Sequence, residues 1–407
     1  MSALDRFLRY VSFHTTSDES SEAVPSAPRE LELARQLKQE LLELGVADAV
    51  VDDFGRVYGH LPASPGREGE PTLGLIAHMD TAPDASGEHV KPRRVRYTGG
   101  DLVLNGELGV VMSPEELPAL ANYVNRELIV TAGTTLLGAD DKAGVAEIMA
   151  TVEHFVAHPE QGHPRLAVAF TPDEEIGRGA DHFDYARFGA EYAYTVDGGA
   201  LGEVEYENFN AANAGVKIHG RNIHPGSAKN IMKNAALMAV EFISLLPAAE
   251  TPAHTEGYEG FYHVNYVNSV ETEGYINLIV RDHDRASFEA RKDFLRRTVD
   301  YLNGKYGDGT FELILRDSYY NMREKLAEHM YLIDWAKDAF CACGVEPRVQ
   351  PVRGGTDGAR LSWEGLPCPN LSTGGENFHG IYEFIPVDAL DTMTRVLVTL
   401  VSGRGNG

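Results

Sequence analysis

The sequence has 407 residues, too many for one ordinary hydrophobic core, and at 43% hydrophobic and 24% charged it has the balance of a globular enzyme of two or three domains. Its 36 basic and 61 acidic residues give a formal charge of −25, which argues against nucleic acid or an anionic membrane surface as the main partner. No run approaches the roughly 18 apolar residues needed to span a bilayer: the longest candidate, 235–246, is interrupted by Glu241. The opening stretch MSALDRFLRYVSFHTTSDES scatters charges and lacks the apolar centre of a signal peptide. The cysteines, Cys341, Cys343 and Cys368, are odd in number and fit reduced thiols in a cytosol, so a cytoplasmic protein is expected.

In chain order, Leu4, Phe7, Leu8 and Val11 recur at helical spacing, and an amphipathic helix is predicted over 28–44, stopped by Gly45. Short strands follow at 49–51 and 57–61, joined by the turn Asp53-Phe54-Gly55, then a loop rich in Pro, Gly and Glu. The run TLGLIA at 72–77 has the uninterrupted apolar character of a strand covered on both faces, and it ends in His78-Met79-Asp80. Residues 81–128 read as an excursion with a hairpin around 90–108 and a short helix at 114–121. Val145, Met149, Val152 and Val156 mark a helix after GADDKAG, and two more apolar runs end in Thr171-Pro172-Asp173-Glu174-Glu175 and in Asp197-Gly198-Gly199. Strands that alternate with helices and finish in acids or histidine describe an α/β sheet with its site at the carboxyl ends.

Near Asn208 the pattern changes. Strand, helix, two strands, helix and strand are predicted at 214–219, 234–246, 261–269, 275–281, 287–306 and 311–316, which is a ferredoxin-like α+β order inserted as its own domain. The expected division is therefore a catalytic domain over 1–207 and 323–407, with an inserted domain over 208–322. The closing part holds the loops RGGTDG and GGENFHG and a last helix at 387–401.

Two adjacent aspartates, Asp140 and Asp141, between glycines are costly to bury unless a cation or a set of donors satisfies them; alone they also read as a polar turn that caps the next helix. His78 and Asp80, two apart at a strand end, leave the same face, one able to bind a metal and the other to orient it. Glu174 and Glu175 repel each other unless one meets a cation while its neighbour accepts a proton from water; a solvated acidic turn is the other reading. With Asp197 and His379 they make a mixed nitrogen and oxygen donor set that suits zinc, with cobalt or manganese as alternatives. A two-metal site needs a carboxylate that bridges, and Asp140 is the natural bridge. The chain has no Gly-x-Ser-x-Gly elbow, no phosphate loop and no His-Glu-x-x-His helix.

In these residues the chain resembles the dinuclear zinc aminoacylase/carboxypeptidase superfamily, and within it the tripeptide aminopeptidases. The likeness runs through HMDTAPD at 78–84, TTLLGADDKAG at 134–144, TPDEEIG at 171–177, VDGG at 196–199, NIHPGSAKN at 222–230, RGGTDG at 353–358 and GGENFHGIYEFIPV at 374–387. It implies a zinc-exopeptidase-like mixed sheet covered by helices, the insert acting as a lid, and two Zn2+ per chain. One zinc would be held by His78, Asp140 and Asp197, the other by Asp140, Glu175 and His379. Asp80 would orient His78, Glu174 would be the general base, and His224 would reach over the cleft to the oxyanion. Arg281 and Arg353 are candidates for holding a substrate carboxylate, each with an interdomain or surface ion pair as its alternative. Tripeptides are then the expected substrates, with no nucleic acid or membrane partner, and the strand and helix edges of the insert could support a homodimer. A dipeptidase or an N-acyl-amino-acid deacylase of the same superfamily is the alternative enzyme, and a peptide-binding protein without turnover the alternative of another class.

Overall fold

The computed structural model describes residues 1–403. Two compact units are formed, one from Met1–Tyr206, Glu324–Gln350 and Thr356–Gly407, the other from Glu207–Arg323 with Pro351–Gly355. Among the described residues no helix is long and apolar enough to cross a membrane.

The larger unit is built on an eight-stranded mixed sheet. Its strands lie in the order Val50–Val51, Val57–Leu61, Leu166–Thr171, Leu73–His78, Tyr192–Gly198, Asn370–Ser372, Glu203–Glu205 and Arg348–Val349. The four from Leu166–Thr171 to Asn370–Ser372 run parallel, so their carboxyl ends meet at one edge. Leu73–His78, Leu166–Thr171 and Tyr192–Gly198 are mostly apolar and almost wholly buried because helices cover the sheet. Gly74 shows how closely they are covered: a Cβ there would lie 2.5 Å from the ring of Phe188. The helix Ala139–Ala157 is buried on nearly every side; the helices Ala3–Tyr10 and Val387–Ser402 pack on it.

Residues 81–128 fold differently from the expectation. The hairpin joins Leu102–Asn105 to Val110–Met112, and Pro118–Tyr123 is a short 3-10 helix. The segment Arg93–Arg96 pairs instead with Glu127–Val130, which also pairs with Phe384–Pro386. Tyr97, Leu104, Met112, Leu120, Leu128 and Phe384 make a separate small core beneath them.

The smaller unit has strands Asn210–His219, Phe261–Ser269, Glu273–Asp282 and Phe311–Tyr319, all antiparallel, with the first beside the third and the fourth. That is the ferredoxin-like order, and the helices Ala235–Leu245 and Arg285–Tyr306 cover one face. Asp284 caps the second helix by accepting the Ser287 N–H, and Gly307 ends it at φ +106°. The first strand begins at Asn210, four residues before its predicted start. Asn210 is polar yet buried, because its side-chain amide donates to the carbonyls of Asp282 and His283.

Candidate metal centre

The parallel strands deliver the site. His78 ends one strand, Thr171 is its registered neighbour and leads into Glu174 and Glu175, and Asp197 closes the next. Asp140 enters from the start of the segment Ala139–Ala157, where a kink gives it a non-helical φ/ψ of −85° and 106°. His379 comes from the loop before Phe384–Pro386, at φ +62°.

The side chains of His78, Asp140, Glu175, Asp197 and His379 converge. Asp140 Oδ1 lies 3.0 Å from His78 Nε2, and its Oδ2 lies 3.2 Å from His379 Nε2. His78 Nε2 is also 3.3 Å from Asp197 Oδ1, and His379 Nε2 is 2.9 Å from Glu175 Oε2. One carboxylate thus faces two histidines with different oxygens, and the Nε2 of each histidine faces one further acid. Around His78, ligand atoms of Asp140 and Glu175, and separately of Asp141 and Asp197, lie within 4.8 Å of one another.

The arrangement fits metal ions. Two donors on one tetrahedral zinc, each about 2.0–2.1 Å from it, stand about 3.3 Å apart. The four nitrogen–oxygen separations, 2.9 to 3.3 Å, are of that size. Glu175 Oε1 is buried with no hydrogen-bond partner, an acceptor that a cation satisfies.

The electrostatics agree. Burial pushes Glu175 up to about 8, with Asp140 adding to the shift and His379 opposing it. Burial likewise pushes Asp197 up to about 7 against the pull of His78, and raises Glu174 well above the usual carboxylate range, with Asp197 adding. Burial also works on Asp140, but its hydrogen bonds to His379 and His78 outweigh it and hold that carboxyl below its ordinary value. Hydrogen bonds to Asp140 and Glu175 raise His379 to about 11. His78 is raised too: burial opposes the change, and Asp197 and then Asp140 overcome it. Acids that retain protons and rings that gain them describe a site that calls for positive charge.

The orienting groups are equally specific. Asp80 lies 3.3 Å from His78 Nδ1, and its two oxygens accept the backbone N–H groups of Glu174 and Glu175 at 3.0 and 3.1 Å. It therefore positions a ring and both acids at once. Asp141 accepts the N–H groups of His78 and Gly144, so its buried carboxylate is met by donors and starts the helix.

Sequence reasoning passed over Asp173 and Asp357, among others. Asp173, at φ +61°, accepts the Ser26 N–H with both oxygens, while its own N–H donates to Glu30, so the loop of Glu174 and Glu175 is pinned from behind. Asp357 is buried and accepts the Thr171 hydroxyl at 3.0 Å, and burial pushes it up to about 6. RGGTDG contains it, but that motif drew attention for its arginine.

The remaining candidates belong to the smaller unit. His224 is exposed, and its Nδ1 accepts the Gly226 N–H at 3.2 Å. The Arg281 guanidinium stacks on Tyr319, 5.2 Å from its centroid, and donates to the Val280 carbonyl; among the described residues no carboxylate pairs with it. Arg353 donates to the carbonyls of Gly257 and Glu259 and to the Thr255 hydroxyl, and lies over Phe209 and Phe261. Those bonds make it a brace for the loop 255–259.

Residues 206–310 match the model of a peptidase dimerisation domain. The peptidase T of Caldanaerobacter subterraneus subsp. tengcongensis is 52% identical over 99% of this chain and 98% of its own length. Among solved structures, an aminopeptidase from Bacillus cereus superposes with a TM-score of 0.76 at 23% identity, and a tripeptidase from Staphylococcus aureus with 0.76 at 20%; each comparison covers 98% of this chain and 97% of the other. The chain belongs to the peptidase T family and is a metallo-exopeptidase.

Proposed function

We propose that the protein is a dinuclear-zinc aminopeptidase that removes the N-terminal residue from tripeptides. His78, Asp140 and Asp197 hold one ion; Asp140, Glu175 and His379 hold the other. The observation that carries this reading is the Asp140 carboxylate, whose two oxygens face two histidines. When bound, such ions polarise a carbonyl and lower the pKa of a water toward about 7.

The protein's own groups do the rest. Glu174 accepts a proton from the attacking water and returns it to the leaving amine nitrogen. Asp80 keeps His78 presenting Nε2, because its carboxylate and backbone carbonyl both lie beside Nδ1. His224 donates to the developing oxyanion, and Arg281, which no carboxylate pairs with among the described residues, receives the substrate's terminal carboxylate. Arg353 supports that corner through Phe261, which is in register with Arg281. Two copies associate through the unit that matches the dimerisation model. We place the enzyme in the cytoplasm, on its unpaired cysteines.

Rates on matched di-, tri- and tetrapeptides test the substrate class: a clear preference for the tripeptide is expected, equal turnover of all three overturns it, and preference for a dipeptide or an N-acyl amino acid selects the alternative enzymes. Glu174→Ala separates catalysis from binding. It should retain the metals and abolish hydrolysis; unchanged hydrolysis removes Glu174 from the mechanism.

A further inference from the structure

The turn that presents Asp140 is held by a residue outside the proposed ligand set. Glu383 is 1% exposed, and its carboxylate accepts three backbone N–H groups. Oε2 takes those of Leu137 and Gly138 at 2.6 and 2.8 Å, and Oε1 takes that of Asp140 at 3.0 Å. The segment cannot supply these bonds itself. Gly138 sits at φ +80° and Asp140 departs from helical φ/ψ, so the donors point inward, away from helix and sheet. Left unmade, they would be buried orphans.

The same residue is tied to the other side of the site. The Glu383 N–H donates to the Gly380 carbonyl, one position from His379. Next to it, Phe384 exchanges backbone hydrogen bonds with Glu376 and begins the strand that pairs with Glu127–Val130. The Ile381 carbonyl accepts the Thr131 hydroxyl at 2.8 Å. A short, doubly anchored segment thus runs from His379 to Glu383, and the Glu383 carboxylate spans from it to the Asp140 turn.

We infer that Glu383 is the positioning residue of the metal centre: it sets the orientation of the bridging Asp140 and fixes it relative to His379, so both ions depend on a side chain that ligates neither. This rests on the two-metal reading above. An amide cannot replace the carboxylate, because three N–H donors converge on two oxygens and glutamine would turn its NH2 toward one of them. Aspartate keeps the charge but is shorter by about one C–C bond, about 1.5 Å, and cannot reach all three.

The test compares the parent with Glu383→Gln and Glu383→Asp by equilibrium dialysis against cobalt(II), the visible spectrum of the cobalt-loaded protein, circular dichroism, and kcat and KM at saturating cobalt. A parent that binds no cobalt defeats the metal-centre reading itself, whatever the variants do. With a binding parent, folded Glu383→Gln should bind both ions about 10- to 100-fold more weakly, shift the cobalt spectrum, and lose kcat with little change in KM. Parental affinity and spectrum in folded Glu383→Gln overturn the inference. If that variant does not fold, Glu383→Asp decides by the same readings. If neither folds alone but either folds in excess cobalt, the inference stands; if neither folds even then, Glu383 braces the fold as a whole and the inference is overturned.

Discussion

Replacing Glu205 by glutamine should stabilise the larger unit at alkaline pH and have little effect near pH 4.5. Glu205 is 8% exposed; its Oε2 accepts from Asn370 Nδ2 at 2.7 Å, and Asn370 Oδ1 accepts the Asp197 N–H at 3.2 Å. Burial is the main cause that pushes Glu205 up to about 8, with Asn370 opposing and Glu203 and Asp197 adding. Between its ordinary value of 4.5 and about 8 the folded chain keeps a proton that the unfolded chain has released. Unfolding then releases a proton, so stability falls as pH rises through that window. At about 1.4 kcal/mol per pH unit, the loss is about 3 kcal/mol at pH 7 and levels off near about 5 kcal/mol above pH 8. Glutamine keeps an oxygen for Asn370 and cannot ionise, so the variant should gain on the parent by those amounts. Both tryptophans, Trp335 and Trp363, lie in the same unit as Glu205, so their fluorescence during urea unfolding at pH 5, 7 and 8.5 reports on it. A difference between variant and parent that does not grow with pH would refute the reasoning, since it would mean that Glu205 is ionised or hydrated in the folded state.

Asp140→Ala should lose both metals in dialysis and metal analysis, whereas His379→Ala should keep one; an Asp140→Ala protein that retains one ion at parental affinity is incompatible with a bridge. Gly144→Ala places a Cβ 1.9 Å from the Val196 carbonyl and 2.5 Å from Asp141 Oδ1, so it should destabilise the larger unit by about 1–3 kcal/mol or more. An unchanged melting temperature would show that the helix can retreat at no cost. In the smaller unit, Lys292 Nζ lies 2.9 and 3.0 Å from the Asp317 oxygens and 2.9 Å from Glu289, and Lys292→Met should cost about 1–3 kcal/mol at pH 7. Burial opposes the shift, but the Lys292 contact depresses Asp317 below its ordinary value, so this stability is present above about pH 4 and lost as pH falls through the folded pKa. Urea titrations should therefore show the cost of Lys292→Met shrinking below pH 4, and a pH-independent cost would assign it to packing.

Strands such as Leu73–His78 and Leu166–Thr171 were legible because burial on both faces leaves an uninterrupted apolar run that stops where the chemistry begins. Arg93–Arg96 was not, because it is exposed at the edge of its sheet and carries three arginines in four residues, with no alternation to betray a strand. The start of Asn210–His219 was hidden for another reason: a buried asparagine looks like a turn until its backbone partners are known. The same limit governs the site. His78, Asp140, Glu175, Asp197 and His379, which the structure brings together, stood out as acids and histidines at strand ends and glycine-rich turns. Glu383, Asp173 and Glu30 did not, because their partners are backbone N–H groups, which leave no trace in the sequence. Arg353 shows the converse, since its donors are directed to carbonyls that no motif reveals.

The acids of the centre divide by what satisfies them, and the division bears on the proposed role of Glu174. The carboxylates of Asp80, Asp141, Asp173 and Glu383 each accept backbone N–H groups, so fixed dipoles offset part of the cost of a burial that still raises Asp141, Asp173 and Glu383 above their ordinary values. Among the described residues no backbone N–H reaches the carboxylates of Asp140, Glu174, Glu175 or Asp197. In the proposed centre two divalent ions bring four positive charges against the three of Asp140, Glu175 and Asp197, with both histidines neutral. One positive charge is left over, and Glu174 is the unligated acid in its field. Burial and Asp197 raise Glu174 well above the usual carboxylate range. A surplus positive charge beside it would favour its ionised form. If Glu174 is the proposed base, an enzyme with only one ion should be inactive at neutral pH, and activity measured at one ion per chain would overturn that reading.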